Sequence, residues 1–330
     1  MKAIVLENPG PPENLRYTDV PTPAPGPGQV LVKAHTIGVS MPEIMVRRGE
    51  YPWMPPLPGI IGIEMSGTVE EVGEEVTSLT IGQSVFVSAR ELAVRGGCYA
   101  EYIVADAAAL YPLPNEKDLE AAAALSNYQV AWHLLNSSTR GMIYQTVLAT
   151  GAAGGIGTAI VQLGKAMGKK VIPVVDTAEK AEFVASLGGE EVINSQSDEI
   201  TERVRQITGG LGVDLILDSI GGQEFANHVN RLAPFGLLVS YGRLAGKPGG
   251  DVLEGMLGRW GDSLGLQIFS MHLFDKSRDK RRKVTEELIG ILSSGKIKPY
   301  INKRLPLSSA AEAHRLIEKG QVLGKLVLKP

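Results

Sequence analysis

The sequence has few of the residues on which several classes of protein depend. Its 330 residues include one cysteine, Cys98, which excludes a disulfide framework and a cysteine-rich zinc site. No apolar run approaches the roughly 18–20 residues of a membrane helix, and the opening MKAIVLENPG is too short and too soon broken for a signal peptide. The formal net charge is only −3, which favours neither nucleic acid nor an acidic membrane surface. We therefore expect a cytoplasmic protein that binds no nucleic acid and no membrane.

The first third of the chain has the pattern of a β domain. Short alternating runs such as KAIVLE and QVLVKAHTIGV are separated by turn-forming stretches such as PTPAPGPG at 21–28. This spacing predicts a compact, barrel-like β domain over residues 1–110. From about residue 120 buried strands alternate with helices, which predicts a parallel sheet with helices on both faces.

The end of the chain changes pattern again. A strand is predicted at 266–271 (LQIFSM), then a long amphipathic helix at about 279–294, whose basic opening KSRDKRRK is predicted to be a solvated face. The tail reads as strands around a helix at 308–319, and the simplest arrangement returns it to the first domain. The predicted domains are therefore residues 1–122 with 299–330, and residues 123–298.

A glycine-rich stretch carries the first functional signal. The buried strand QTVLATG runs into GAAGGIG at 151–157, which opens a helix. Missing side chains let the backbone approach a pyrophosphate, and the helix N-terminus offers unpaired N–H groups with partial positive charge. In this context the motif predicts a dinucleotide site. The residues predicted to bind the cofactor here are Ala153, Gly154, Gly155, Ile156 and Gly157.

The tip of the second strand carries opposing signals about the cofactor. Asp176 stands where a ribose-binding acid belongs, and a carboxylate repels a 2′-phosphate, which favours NADH. Lys180 follows on the first helical turn, where it can pair with that phosphate, which favours NADPH. The residues alone leave both cofactors open.

The whole chain resembles the medium-chain dehydrogenase/reductase superfamily, with a GroES-like β-barrel domain and a Rossmann doubly wound sheet. Zinc alcohol dehydrogenases of that superfamily have a cysteine in a GVC motif and a histidine in a GHE motif as metal ligands. Here these positions read GVS (38–40) and GIE (62–64), so Ser40 and Ile63 replace the two ligands. We expect no metal. Glu64 is then predicted to be a structural carboxylate that needs a cationic or hydrogen-bonding partner if it is buried.

Within the superfamily the chain resembles the zinc-independent, zeta-crystallin-like quinone oxidoreductases. The stretches GVSMPEIMVRRGEYP (38–52), DTAEKA (176–181), LDSIG (217–221) and SYG (240–242) are similar to motifs of that group. The resemblance implies NADPH, with NADH as the alternative. It extends the predicted cofactor contacts, beyond the glycine loop, to Asp176, Lys180, Ser195, Ser219, Tyr241, Gly242 and Phe269. The predicted catalytic pocket residues are Tyr51, Ser40 and Gln129, and Met41 and Phe269 would add apolar surface.

These signals together predict metal-free hydride transfer from NADPH to a quinone-like acceptor. A reductase of α,β-unsaturated carbonyls or enoyl thioesters is the main alternative, and it would need a positioned acid such as Tyr51 to protonate carbon. A second alternative is an NADPH-binding crystallin or RNA-binding protein. The strand at 266–271 would end its sheet and leave an open edge, so we expect a homodimer joined there.

Overall fold

The computed structural model describes residues 1–114 and 118–330. The strands, labelled β1 to β16 in chain order, span Lys2–Leu6, Leu15–Asp19, Gln29–Val39, Gly59–Ile60, Glu64–Val72, Ser84–Ser88, Tyr102–Asp106, Tyr111–Pro112, Thr146–Thr150, Lys170–Val175, Ile193–Asn194, Val213–Asp218, Leu232–Ser240, Gly265–Ile268, Ile301–Pro306 and Lys325–Lys329. The α-helices, labelled α1 to α9, span Met41–Arg48, Leu119–Ala122, Leu125–Asn136, Gly155–Ala166, Ala178–Ser186, Ile200–Thr208, Val252–Gly258, Arg278–Ser293 and Ala310–Glu318. Within the described ranges, no helix is long and apolar enough to cross a membrane.

One compact unit joins the two ends of the chain, Met1–Ser126 and Ser277–Pro330. Its larger sheet has the order β15-β16-β3-β5-β6-β8, with β7 also paired to β3, and its smaller sheet has the order β2-β1-β4. Strand β16 runs antiparallel to β3, with Leu326 opposite Val39. The predicted return of the tail to the first domain is therefore confirmed. One apolar cluster, with members from β1, β3, β6 and β16, forms the core of this unit.

The second unit, Asn127–Lys276, is built on a six-stranded sheet of order β11-β10-β9-β12-β13-β14, in which every neighbouring pair is parallel. Counted along this unit the order is 3-2-1-4-5-6, which is that of a doubly wound dinucleotide-binding fold. Leu148, Ile172, Ile216 and Leu238 are opposite one another across the four central strands and are fully buried. The predicted fold class is confirmed.

The boundaries of the two units differ from those predicted from the sequence. Helix α8 was assigned to residues 123–298, but it belongs to the first unit. Arg281 donates from Nε and Nη2 to the two carboxylate oxygens of Glu91, both at 2.8 Å, and both side chains are almost fully buried. Arg282 lies over the ring of Tyr111. Most of the basic run at 276–283 is exposed, as predicted, but Arg281 is an internal anchor.

Two predicted elements take a different form. The helix expected at 223–232 is a 3₁₀-helix, Gln223–Arg231. With three residues per turn, His228 and Arg231 lie on the same face of this helix, and their side-chain nitrogens are 3.1 Å apart. The strand expected at 266–271 is shorter, because a second 3₁₀-helix, Met271–Phe274, begins soon after β14. Strand β14 still ends the sheet, as predicted.

Candidate active site

The predicted cofactor residues lie at one edge of the six-stranded sheet. Each follows the carboxyl end of a strand, and these ends meet at the same edge of a parallel sheet, where ligands of doubly wound folds bind. In sheet order they are Ser195 after β11, Asp176 after β10, Ala153, Gly154, Gly155, Ile156 and Gly157 after β9, Ser219 after β12, Tyr241 and Gly242 after β13, and Phe269 after β14. The sheet therefore brings together eleven residues that the sequence alone shows as scattered motifs, with Lys180 one helical turn beyond Asp176.

The glycines of the loop between β9 and α4 have different reasons to be glycine. A Cβ on Gly157 would lie 2.4 Å from the oxygen of Gly151 and 2.5 Å from the Cα of Ala152, so internal packing requires glycine there. Gly154 has an ordinary φ of −80°. Its added Cβ would meet only the Gly151 oxygen, at 3.4 Å. No contact within the protein requires glycine at position 154. A ligand that approached the backbone at the start of α4 would require it. The loop fits a pyrophosphate.

Asp176 and Lys180 form an ion pair at the end of β10. The Lys180 Nζ lies 2.6 Å from Asp176 Oδ1, and the Asp176 side chain is 59% exposed. Thr177 is the N-cap residue of α5, and its hydroxyl accepts a hydrogen bond from the backbone N–H of Lys180. The backbone N–H of Ser195 donates to the Val175 oxygen, which holds Ser195 beside the same strand end. An acceptor for a ribose hydroxyl and a cation for a phosphate therefore stand side by side.

Polar and backbone contacts link the ends of β9, β12 and β13. Asp218 accepts the Thr150 hydroxyl and the Gly221 N–H, both at 2.8 Å, and lies 3.3 Å from His228. Burial opposes ionisation of Asp218, but these partners outweigh it and lower the pKa of its carboxyl. A Cβ on Gly242 would come within 2.6 Å of the Ser219 oxygen, so glycine at position 242 lets the ends of β12 and β13 lie close together. No local pattern in the sequence indicated this network.

Glu64, in the first unit, has the cationic partner that its burial demands. It is fully buried at the start of β5. Its Oε1 accepts Lys325 Nζ at 2.5 Å, and its Oε2 accepts the Ser126 N–H at 2.9 Å. The same Lys325 Nζ lies 2.6 Å from Ser40 Oγ. The predicted need for a partner is confirmed, but Lys325 was missed, and its only signal was a lysine inside the apolar strand GKLVL.

Glu43 adds a third ionisable group to this cluster. It is fully buried on α1, and its two carboxylate oxygens accept the backbone N–H groups of Ser40 and Ile63, both at 3.2 Å. Burial raises the pKa of Glu43 from its usual 4.5 to about 8; the positive charge of Lys325 opposes this rise, and the negative charge of Glu64 adds to it. At neutral pH Glu43 is therefore mostly protonated. Glu43 is not among the site residues predicted from the sequence.

The three predicted catalytic residues have different surroundings. Ser40 is part of the Lys325–Glu64 cluster. Tyr51 is half-buried in the same unit and packs edge-on against Trp53, with ring centroids 5.8 Å apart. Burial raises the pKa of Tyr51, although Arg90 and Arg95 oppose the rise. Gln129 lies on α3 in the second unit and is 5% exposed. Their grouping into one pocket stays a prediction.

Comparison with known proteins agrees with this architecture. Residues 26–115 match the family model described as the alcohol dehydrogenase GroES-like domain, and residues 187–328 match the one described as zinc-binding dehydrogenase. The chain is 33% identical to a quinone oxidoreductase of Pseudomonas aeruginosa over 97% of both proteins. The chain belongs to the quinone oxidoreductase family. Within the medium-chain dehydrogenase/reductase superfamily, this confirms the resemblance seen in the sequence.

Two further relatives bear on the chemistry of this family. The structure of the Escherichia coli quinone oxidoreductase complexed with NADPH superposes with a TM-score of 0.87 and 29% identity, with all of both chains covered. A 2-haloacrylate reductase of Burkholderia is 31% identical over 99% of this chain and 98% of the relative.

The residues of this chain do not fit the zinc that one family description implies. Ser40 and Ile63 occupy the two recognisable ligand positions, and Glu64 is already bound by Lys325 and a backbone N–H. Across residues 1–114 and 118–330, no three His, Cys, Asp or Glu side chains are grouped as a metal site would need. We assign no step to a metal.

The raised pKa of Glu43 predicts a pH dependence of stability. Between pH 4.5 and about 8 the folded protein keeps a proton on Glu43 that the unfolded chain releases. The free energy of unfolding should therefore fall as pH rises through this window, by up to about 1.4 kcal/mol per pH unit from this group. Urea unfolding of wild type and Glu43→Gln from pH 5 to 8.5 gives the free energy of unfolding of each protein. The difference between the two curves isolates Glu43, because the contributions of the other titrating groups cancel.

The matched control for this measurement is Glu70→Gln, because Glu70 is exposed on β5. Its stability curve should run parallel to that of wild type. A Glu43→Gln curve that also ran parallel to wild type would show that Glu43 is ionised in the folded protein.

Proposed function

We propose that this protein is an NADPH-dependent quinone oxidoreductase that works without a metal. The observation that carries the proposal is the row of cofactor residues along one sheet edge, with Gly154 left open at the start of α4. When bound, the dihydronicotinamide supplies the hydride. The backbone around Gly154 would hold the pyrophosphate, Lys180 the 2′-phosphate, and Ser195 the adenosine end.

A quinone acceptor suits the side chains that the first unit provides. A quinone that has accepted hydride carries its new negative charge on an oxygen, and that oxygen can take its proton from water. The protein then needs hydrogen bonds and exclusion of competing reactions rather than a dedicated acid. Ser40 offers a hydroxyl for this role, and Tyr51, in the same unit, would add pocket surface.

Reduction of an activated alkene is the second candidate function, and the likeness to a 2-haloacrylate reductase favours it. This reaction must place a proton on carbon, which solvent does slowly, so an acid of the protein becomes important. Tyr51 is the candidate, since burial raises its pKa and keeps its proton in place at neutral pH.

Steady-state oxidation of NADPH and NADH with a panel of quinones, enals, 2-haloacrylate and an enoyl thioester tests the two functions. We expect kcat/KM to be highest with quinones and Tyr51→Phe to change quinone turnover less than tenfold. Faster reduction of an alkene, with a loss of more than a hundredfold in Tyr51→Phe, would replace the first proposal by the second.

The cofactor preference depends on the Asp176–Lys180 pair. Binding of NADPH must turn the Lys180 ammonium from Asp176 towards the 2′-phosphate. Lys180→Ala should therefore raise KM for NADPH at least tenfold and leave KM for NADH within about threefold, because a charge-assisted contact is lost only with the phosphate. Asp176→Gly should lower KM for NADPH. Lys165→Ala, on the neighbouring helix α4, is the control. A tenfold preference of the wild type for NADH would contradict the assignment.

We further propose that two copies of the chain pair through the edge strand β14. Its side chains Leu266 and Ile268 are 46% and 71% exposed, and nearby in sequence Trp260 and Leu273 are 78% and 74% exposed. An apolar edge of this kind invites pairing with another strand, and a twofold partner would continue the sheet antiparallel.

Light scattering at micromolar concentration tests the dimer. Ile268→Lys should shift the wild-type dimer to monomer, because a lysine would be buried at the seam without a partner. Ile143→Lys is the control, since Ile143 is 98% exposed and lies outside β14. A wild-type protein that is monomeric, or an Ile268→Lys variant that stays dimeric, would contradict this interface.

A further inference from the structure

The Lys325 ammonium makes one contact that charge balance does not require. Its side chain is 3% exposed and pairs with Glu64, which suffices to compensate both charges. The additional hydrogen bond to Ser40 Oγ, at 2.6 Å, connects this buried pair to the most exposed member of the cluster. Strand β16 places Lys325 there, because the next residue, Leu326, is opposite Val39.

The contact restricts the direction of the Ser40 hydroxyl hydrogen. An ammonium group only donates hydrogen bonds, so Ser40 Oγ must accept in this one. The hydroxyl hydrogen therefore points away from Lys325, and no acceptor for it is found among residues 1–114 and 118–330. Glu43 restrains the backbone at the same residue by accepting the Ser40 N–H. The Ser40 hydroxyl is thus available as a donor, with the Lys325 ammonium 2.6 Å from its oxygen.

We propose that the Ser40 hydroxyl donates to the carbonyl oxygen of the acceptor and that Lys325 is the positioning residue that orients and polarises it. The inference rests on the proposed reductase function. Hydride brings two electrons to the acceptor, and negative charge develops on its oxygen. Ser40 keeps its proton and strengthens its hydrogen bond as that charge grows. Water then protonates the oxygen, and the oxidised nicotinamide leaves.

A double-mutant cycle separates this role from a purely structural one. Lys325→Met alone would leave Glu64 buried without its cation, so Lys325→Met/Glu64→Gln removes both charges together. We compare wild type, Ser40→Ala, the charge-pair variant and the triple variant by kcat and KM with a quinone. The Kd for NADPH, from fluorescence titration, reports the fold of each variant.

The proposal predicts non-additive losses. Ser40→Ala should lower kcat about 10- to 100-fold, at the low end of the loss for an oxyanion-stabilising donor, with the Kd for NADPH unchanged. Ser40→Thr keeps the hydroxyl and should recover most of kcat. The charge-pair variant should lose a similar factor, and the triple variant should be no slower than Ser40→Ala, because Lys325 acts through the hydroxyl.

Arg281→Met/Glu91→Gln is the matched control, since it removes another buried ion pair of the same unit. It should lower stability and leave kcat unchanged. Losses that multiply in the triple variant would overturn the role of Lys325. A Ser40→Ala variant with wild-type kcat would overturn the whole inference. This result can be interpreted even if the charge-pair variant does not fold. A wild type that reduces no quinone would instead overturn the proposed function, and this inference with it.

Discussion

A charged carboxylate stays in an apolar interior only if a cation or hydrogen-bond donors compensate it, and here Glu64 and its cation Lys325 are 261 residues apart in sequence. Glu64 begins β5, and Lys325 begins the last strand of the chain. Their contact exists only because β16 pairs with β3, so the closure of the discontinuous unit and the compensation of its buried charge depend on the same strand pairing. The surroundings of Ser40 depend on it too, since Lys325 contacts both side chains.

The second unit follows a different constraint. A parallel sheet places all its carboxyl strand ends at one edge, so residues that are far apart in the chain meet there without any contact between their own helices. The polar network around Asp218 then links the ends of β9 and β12, and the close approach of Gly242 to Ser219 links the ends of β13 and β12. Residues that directly follow strand ends are positioned by the sheet, which suits the placement of a reactive carbon.

The sequence predicted those features that depend on local pattern. Alternating polarity gave the β domain, the change of period gave the parallel sheet, and the strand–glycine–helix context gave the nucleotide loop. Glu64 could be recognised as a carboxylate in need of a partner. That the partner is Lys325 could not be predicted, because a pairing between distant strands leaves no local mark.

The same limit explains the wrong placement of α8. Its basic residues resemble a solvated face when they are read alone, and the decisive partner of Arg281 is Glu91, 190 residues earlier. The Asp176–Lys180 pair shows a third case, in which both residues could be identified but not their contact. The ion pair reconciles the two opposing signals, because each residue neutralises the other.

Glu43 gives the cluster its charge balance. If Glu43 and Glu64 were both ionised, the cluster would carry a net negative charge beside the Ser40 hydroxyl, which would oppose negative charge on an acceptor oxygen. Burial instead keeps Glu43 mostly protonated at neutral pH, so Lys325 balances Glu64 alone. The Lys325 ammonium, 2.6 Å from Ser40 Oγ, is then the end of a neutral ion pair that contacts the hydroxyl. Because Glu43 stays neutral, it does not oppose the positive charge of Lys325 at Ser40. Glu43 also accepts the backbone N–H groups of Ser40 and Ile63, and these contacts restrain the backbone at the serine.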